Sequence, residues 1–182
     1  MVRYYVIQVK TRGEEKYKDL VERTFKTSGL DMAETGRLIW PKRELKIRRK
    51  GKTIISLAPI FPGYLFFEAE NLENTTYRVL KKQAGFLRFL RNNHDIEPLS
   101  GEDERTLLQF LSCGDVVGQS LVFFDENQKI RVISGPMKGL EGRIIKVDKR
   151  KKRAKIKLSL YEDAFPVDFG FELLTSSEKT SD

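Results

Sequence analysis

Residues 130–158, IRVISGPMKGLEGRIIKVDKRKKRAKIKL, restrict the fold more than any other part of the chain. Apolar residues alternate with period two around Gly135, Gly139 and Gly142, the pattern of short strands that bury one face. Glycine takes φ > 0 at no steric cost, so this spacing describes tight turns rather than a flexible linker. Ile130, Val132, Ile144, Ile145, Val147 and Ile156 supply the β-branched bulk that strands favour. The run Lys149-Arg150-Lys151-Lys152-Arg153 falls between two of these strands. Like charges so close together cost stability unless a polyanion meets them. The segment therefore predicts a small β-barrel that holds a basic loop toward nucleic acid.

No helical period is visible from Asp115 onward. Short β runs are expected at 121–124, 129–133, 142–147, 154–160 and 165–174, and closing such a sheet removes exposed edges. The first half reads differently. A strand is expected at 4–9, with Tyr5, Ile7 and Val9 on one face. Thr11 and Glu14 have capping-box spacing ahead of a helix that carries Tyr17, Leu20, Val21 and Phe25, with Gly29 as its stop. Further β segments are expected at 37–40, 44–49, 53–57 and 61–68, and Arg49-Lys50-Gly51-Lys52 turns a projecting hairpin. Asn74 begins a short helix with Tyr77 and Leu80 that stops at Gly85, and 86–91 reads as a strand. Ser100 and Asp103 open a helix carrying Leu107, Leu108 and Leu111. The fold class is therefore α+β: an N-terminal α/β sandwich with an antiparallel sheet, then a small all-β barrel. The expected divisions are 1–113, a linker at 114–124, the barrel at 125–175 and a flexible tail at 176–182.

The net charge of +8 on 182 residues favours a polyanion such as RNA, DNA or an anionic membrane. The charge is uneven. Residues 143–157 carry nine Lys/Arg against Asp148, and residues 42–52 carry seven against Glu44. Each cluster alone reads as a solvated face; two of them in a basic chain bring nucleic acid level with that reading. No apolar run approaches the roughly 20 residues that cross a bilayer, and residues 1–10 lack the apolar core of a signal peptide. Cys113 is the single cysteine, so no intrachain disulfide is expected, and the expected setting is the cytoplasm.

Enzyme chemistry finds no footing. Gly135 to Gly139 leaves three residues where a phosphate loop needs four, and Leu140 stands where its Lys would be. His94 is the sole histidine, with only Asp95 and Glu97 beside it, so neither a metal nor a cofactor is expected. Phe61-Pro62-Gly63-Tyr64 has two readings. Composition favours core for its rings, but a Pro-Gly kink also turns Phe61 and Tyr64 outward as an apolar docking patch. No aromatic residue flanks 149–153 in sequence, which favours backbone and shape contacts with RNA over base stacking.

Over residues 4–174 the sequence resembles the NusG family of transcription elongation factors. Tyr4 through Val9 is similar to the family's opening strand, Phe61-Pro62-Gly63-Tyr64-Leu65 to its F-P-G-Y signature, and Ile130 through Asp148 to its KOW motif. Phe165-Pro166-Val167 with Phe171-Glu172 resembles its closing strand. The resemblance implies an NGN domain followed by an SH3-like KOW barrel whose turn uses Gly135, Pro136, Gly139 and Gly142. It implies a monomer that docks through Tyr4, Phe61, Pro62, Gly63 and Tyr64 on the clamp helices of the largest RNA polymerase subunit. Nascent RNA, such as a leader hairpin, would meet Arg143, Lys146, Lys149, Arg150, Lys151, Lys152, Arg153 and Lys155. Leu160 and Tyr161 occupy the family's docking place for a small-subunit ribosomal protein or a termination factor. Leu160-Tyr161-Glu162-Asp163 replaces the usual Ile-Phe-Gly-Arg turn, a departure in two acids that bears directly on that partner. The heavy basic run and this turn are most similar to LoaP-type antiterminators. Housekeeping NusG and a ribosome-associated KOW protein are the alternatives. The β-branched residues and glycines argue against the helical C-terminal form of RfaH.

Overall fold

The computed structural model describes residues 1–90 and 96–174. His94, the expected end of the strand at Arg91, and the tail after residue 174 lie outside the described residues. The elements are β1 (Arg3–Val9), α1 (Glu14–Thr27), α2 (Met32–Thr35), β2 (Arg37–Ile39), β3 (Lys42–Arg49), β4 (Lys52–Pro59), β5 (Tyr64–Ala69), α3 (Asn74–Lys82) and β6 (Phe86–Phe89). They continue with α4 (Gly101–Leu111), β7 (Val116–Val117), β8 (Ser120–Phe124), β9 (Ile130–Ser134), β10 (Ile144–Asp148), β11 (Arg153–Leu160) and β12 (Asp163–Leu173). Two compact units result: Met1–Pro41 with Phe61–Arg105, and Lys42–Ile60 with Thr106–Asp182.

The first unit is built on an antiparallel sheet of order β2-β5-β1-β6. Alternation along β1 puts Tyr5, Ile7 and Val9 on the face that meets Tyr17, Val21 and Phe25 of α1 and Leu80 of α3. Phe25 stands edge-on to Phe67 of β5 at 6.2 Å. The buried Tyr17 hydroxyl donates to the Leu80 carbonyl at 2.8 Å, and burial pushes its pKa up. α1 ends as expected at Gly29, where φ of +67° lets the Leu30 N–H reach back to the Phe25 carbonyl at 3.0 Å.

Its start differs from the expectation. Gly13 is the N-cap, no side chain caps the helix, and Glu14 is buried as its first residue. The capping box fails because the Glu14 carboxylate has a different partner, described below. Glu73 rather than Asn74 is the N-cap of α3. In α4, Leu107 and Phe110 are buried while Leu108 faces out. α2 and β7 are four and two residues long, too short to show a period in sequence.

The second unit holds a five-stranded sheet of order β10-β11-β12-β8-β9, in which β12 and β8 run parallel, and a three-stranded sheet of order β4-β3-β7. Ala154, Ile156, Leu158 and Leu160 alternate inward along β11, opposite Val167 and Phe169 on β12. Residues 114–124, expected as a linker, instead carry β7 and β8. Ser120 and Val122 are fully buried, because β8 lies between β12 and β9. The β3–β4 hairpin, assigned by sequence to the N-terminal domain, groups with this second unit. Its turn has φ of 49° at Lys50 and 79° at Gly51, the paired left-handed geometry of a two-residue hairpin loop.

The three signature glycines are not equivalent. Gly135 has φ of +94°, and a Cβ there would lie 2.6 Å from Ser120 Cα. Gly139 has φ of +80° in open space, whereas Gly142 has neither a left-handed φ nor a close neighbour. Beside Gly135, the Ser120 hydroxyl accepts from the Met137 N–H at 3.0 Å. Gly135→Ala is therefore expected to cost about 1–3 kcal/mol through strain and backbone collision, and Gly142→Ala less than about 0.5 kcal/mol. Urea denaturation of the two variants checks this; equal losses would contradict the assignment.

Candidate nucleic-acid interface

The basic run is a turn with a built-in anion. β10 and β11 pair as far as Asp148 opposite Arg153, which leaves residues 149–152 to cross between them. Asp148 Oδ1 accepts the Lys151 N–H at 2.9 Å, and Lys152 adopts φ of 51°. The Phe171 N–H then donates to the Lys152 carbonyl at 3.0 Å and ties the turn to β12. That Lys151 N–H, and next the charges of Lys151 and Arg150, hold the Asp148 carboxyl below the usual carboxylate range.

The eight candidate RNA-contacting residues separate by what else they touch. Lys149 lies on the barrel: its Nζ donates to Gln128 at 2.7 Å and sits 4.1 Å from the Phe124 ring centroid. An aromatic side chain is therefore next to the run in space, which sequence adjacency did not reveal. Arg153 is half-buried, and its Nη2 donates to the Lys46 carbonyl at 3.1 Å. Lys155 pairs with Asp168 at 3.6 Å and stands opposite Lys146 across the strands. Arg143 belongs to a 3-10 turn that precedes β10. Arg150, Lys151 and Lys152 are exposed, and among the described residues none of the three is in an ion pair.

The other basic cluster comes to the same place. Arg43 of β3 is buried, with Nη1 donating to the Pro59 carbonyl, Nε to the Asp168 carbonyl, and the guanidinium 5.8 Å from the Phe169 ring centroid. Burial pulls its pKa down to about 10, against the opposing pull of Asp168. Lys46 pairs with Glu172 of β12. These contacts hold the hairpin beside the barrel strand, and a cleft of about 680 Å³ opens between Lys46, Arg48 and Thr53 on one wall and residues 150–153 on the other. Sequence showed two clusters, 42–52 and 143–157, but gave no sign that they converge. It also took Arg43 for one more solvated cation.

The candidate docking residues belong to the first unit. Tyr4 and Tyr64 lie on the sheet face opposite the helices, as do Val6 and Phe66. Phe61 meets Phe66 edge-on at 5.1 Å. The expected exposed patch is not displayed: Phe61 and Tyr64 are 1% and 6% exposed, Gly63 is buried, and only Pro62 and the half-buried Tyr4 reach solvent. Burial, and next the Glu68 carboxylate, push the Tyr4 pKa up. The Tyr64 N–H donates to the Phe61 carbonyl at 3.1 Å, and Gly63 takes φ of +84°, so Pro62-Gly63 makes a type II turn. Glu14 Oε1 accepts the Gly63 N–H at 2.8 Å. A buried carboxylate thus fixes the F-P-G-Y turn, a link of 49 residues that no periodicity reports. At the β11–β12 turn Leu160 is 1% exposed and belongs to the core, leaving Tyr161, half-buried with φ of 53°, as the accessible member of that expected docking pair.

Two family models match the chain. The family model described as transcription termination factor nusG matches residues 2–108, and the KOW motif model matches residues 126–157. The transcription termination/antitermination protein NusG of Thermus thermophilus is 25% identical over 176 residues, covering 93% of this chain and 96% of its own. The protein of that name from Borreliella burgdorferi is 24% identical over 182 residues, covering 93% and 95%. A solved structure titled "Domain interaction in Thermotoga maritima NusG" shares the fold, with a TM-score of 0.60 at 20% identity over 93% of this chain and 94% of that one. No described helix is long and apolar enough to cross a membrane.

Asp148 supplies a pH test of the turn. Its folded pKa is depressed, so its contribution is present above the ordinary carboxylate pKa and is lost as pH falls through the lower folded value. Carboxyl NMR titration should give a midpoint below about 3.9. A midpoint at or above that value would mean that the carboxylate does not hold the turn.

Proposed function

The chain belongs to the NusG family of transcription factors, and we propose that it is a specialised, processive antitermination factor that docks on RNA polymerase and contacts nascent RNA. The observation that carries this reading is the turn at 149–152. A carboxylate clamps its backbone while Arg150, Lys151 and Lys152 stand exposed outside any ion pair among the described residues. A preorganised cationic turn loses little conformational entropy on meeting a phosphate backbone. Docking on the clamp helices of the polymerase's largest subunit would start from Tyr4 and the Pro62 rim, the accessible members of the expected patch. Glu162 and Asp163 at the β11–β12 turn favour a specialised role over the recruitment of the family's usual protein partner.

The shared name of the relatives, termination/antitermination protein, supports a second reading as a housekeeping elongation and termination cofactor. In-vitro transcription through a terminator separates the two. The specialised reading predicts readthrough that depends on a leader RNA in the transcript and is lost when Arg150, Lys151 and Lys152 are changed to Gln. That variant should also lower the salt dependence of RNA binding by about one unit of slope per lost phosphate contact and leave polymerase binding intact. Tyr4→Ala should do the reverse. Readthrough that is independent of leader sequence, or an unchanged salt slope, would count against the specialised role.

A further inference from the structure

Resting on the RNA reading above, we infer that the site is the cleft between the β3–β4 hairpin and the β10–β11 turn, and that it grips the backbone of a double-stranded RNA stem on both walls. The turn alone is one wall. Lys46 and Arg48 alternate on β3, so their side chains share a face, and both are exposed. They line the same cleft of about 680 Å³ as Arg150, Lys151, Lys152 and Arg153, giving six cationic side chains and no acidic one. Lys46 is offset by Glu172, whereas Arg48 on the hairpin wall and Arg150, Lys151 and Lys152 on the turn wall form no ion pair among the described residues. Cations gathered across a concave surface raise the local potential and concentrate a polyanion there.

The cleft lining also indicates the form of the nucleic acid. Besides the cations it contains Ile47, Thr53 and Gln119, and no aromatic ring. Single strands are held largely by stacking bases on aromatic side chains, which this surface does not offer. An A-form stem is held instead through phosphates and 2′-hydroxyls, which suit arginine, lysine, a threonine hydroxyl and a glutamine amide. Arg153 also acts as a positioning residue: its Nη2 donates to the Lys46 carbonyl and joins the two walls.

The test uses the full chain with an RNA stem-loop, the same RNA as a single strand, and the DNA duplex of that sequence. Lys46→Gln with Arg48→Gln should weaken stem-loop binding roughly tenfold at moderate salt and lower the salt slope by about two. A charge-matched control, Lys16→Gln with Lys82→Gln on exposed helix positions, should change affinity by less than about twofold, because neither side chain lines the cleft. Circular dichroism should be unchanged in both variants, and loss of the exposed Lys46–Glu172 pair should lower the melting temperature only slightly, because Arg43 still holds the hairpin. If the hairpin variant behaves like the control while Gln at 150–152 loses binding, the cleft is overturned and the RNA reading stands. If neither cluster matters, both fall. Equal affinity for the single strand or the DNA duplex overturns the assignment to an RNA stem.

Discussion

The buried guanidinium of Arg43 is the interaction on which the second unit's functional geometry depends. A cation taken out of water is costly unless its donors are satisfied, and here two backbone carbonyls, those of Pro59 and Asp168, accept from it. One belongs to β4 and the other to β12, so a single side chain fixes both strands of the hairpin against the barrel. Burial lowering its pKa to about 10 still leaves it charged at neutral pH. Around it the contacts repeat the same join: Arg153 to the Lys46 carbonyl, Lys46 to Glu172, and Gly170 so close to Glu44 that a Cβ would touch its carbonyl at 3.4 Å.

Charge is therefore used in two ways within one basic cluster. Arg43, and Arg153 through its Nη2, serve carbonyls that set the position of the hairpin. Arg48 and residues 150–152 are left facing solvent, where their mutual repulsion is unfavourable until an anion arrives. Asp148 eases the local conflict by serving the backbone: it caps the turn through the Lys151 N–H, and that hydrogen bond, with the charges of Lys151 and Arg150 after it, holds its carboxyl below the usual carboxylate range. On the other unit Glu14 does comparable work, with a buried carboxylate that holds the Gly63 N–H and so the shape of the F-P-G-Y turn.

Much of the fold was legible because period-two and period-3.6 patterns report local structure directly. The strands at 4–9, 121–124 and 154–160, the turn at Lys50-Gly51 and the helix stop at Gly29 are all local signals. What was hidden is long-range. Glu14 looked like half of a capping box, since sequence cannot show that its carboxylate meets a residue 49 positions away. Residues 114–124 were assigned to a linker although a strand was expected at 121–124: two-residue β7 has no period, and the place of β8 between β12 and β9 is set by long-range pairing. Composition favoured core for the rings of Phe61 and Tyr64, as their burial shows, whereas the motif resemblance made them and Leu160 docking residues; burial is a property of the folded chain that a motif does not carry. The two basic clusters were each visible, but their convergence depends on Arg43, one cation among seven in residues 42–52.

The most direct measurement is an amide NMR titration of the isotopically labelled full chain with an RNA stem-loop. Residues 46–53 and 150–153 are expected to shift together, with one shared dissociation constant, while α1 and α3 stay unperturbed. Shifts confined to the 149–153 turn, or two segments that titrate with different constants, would contradict a single two-walled site.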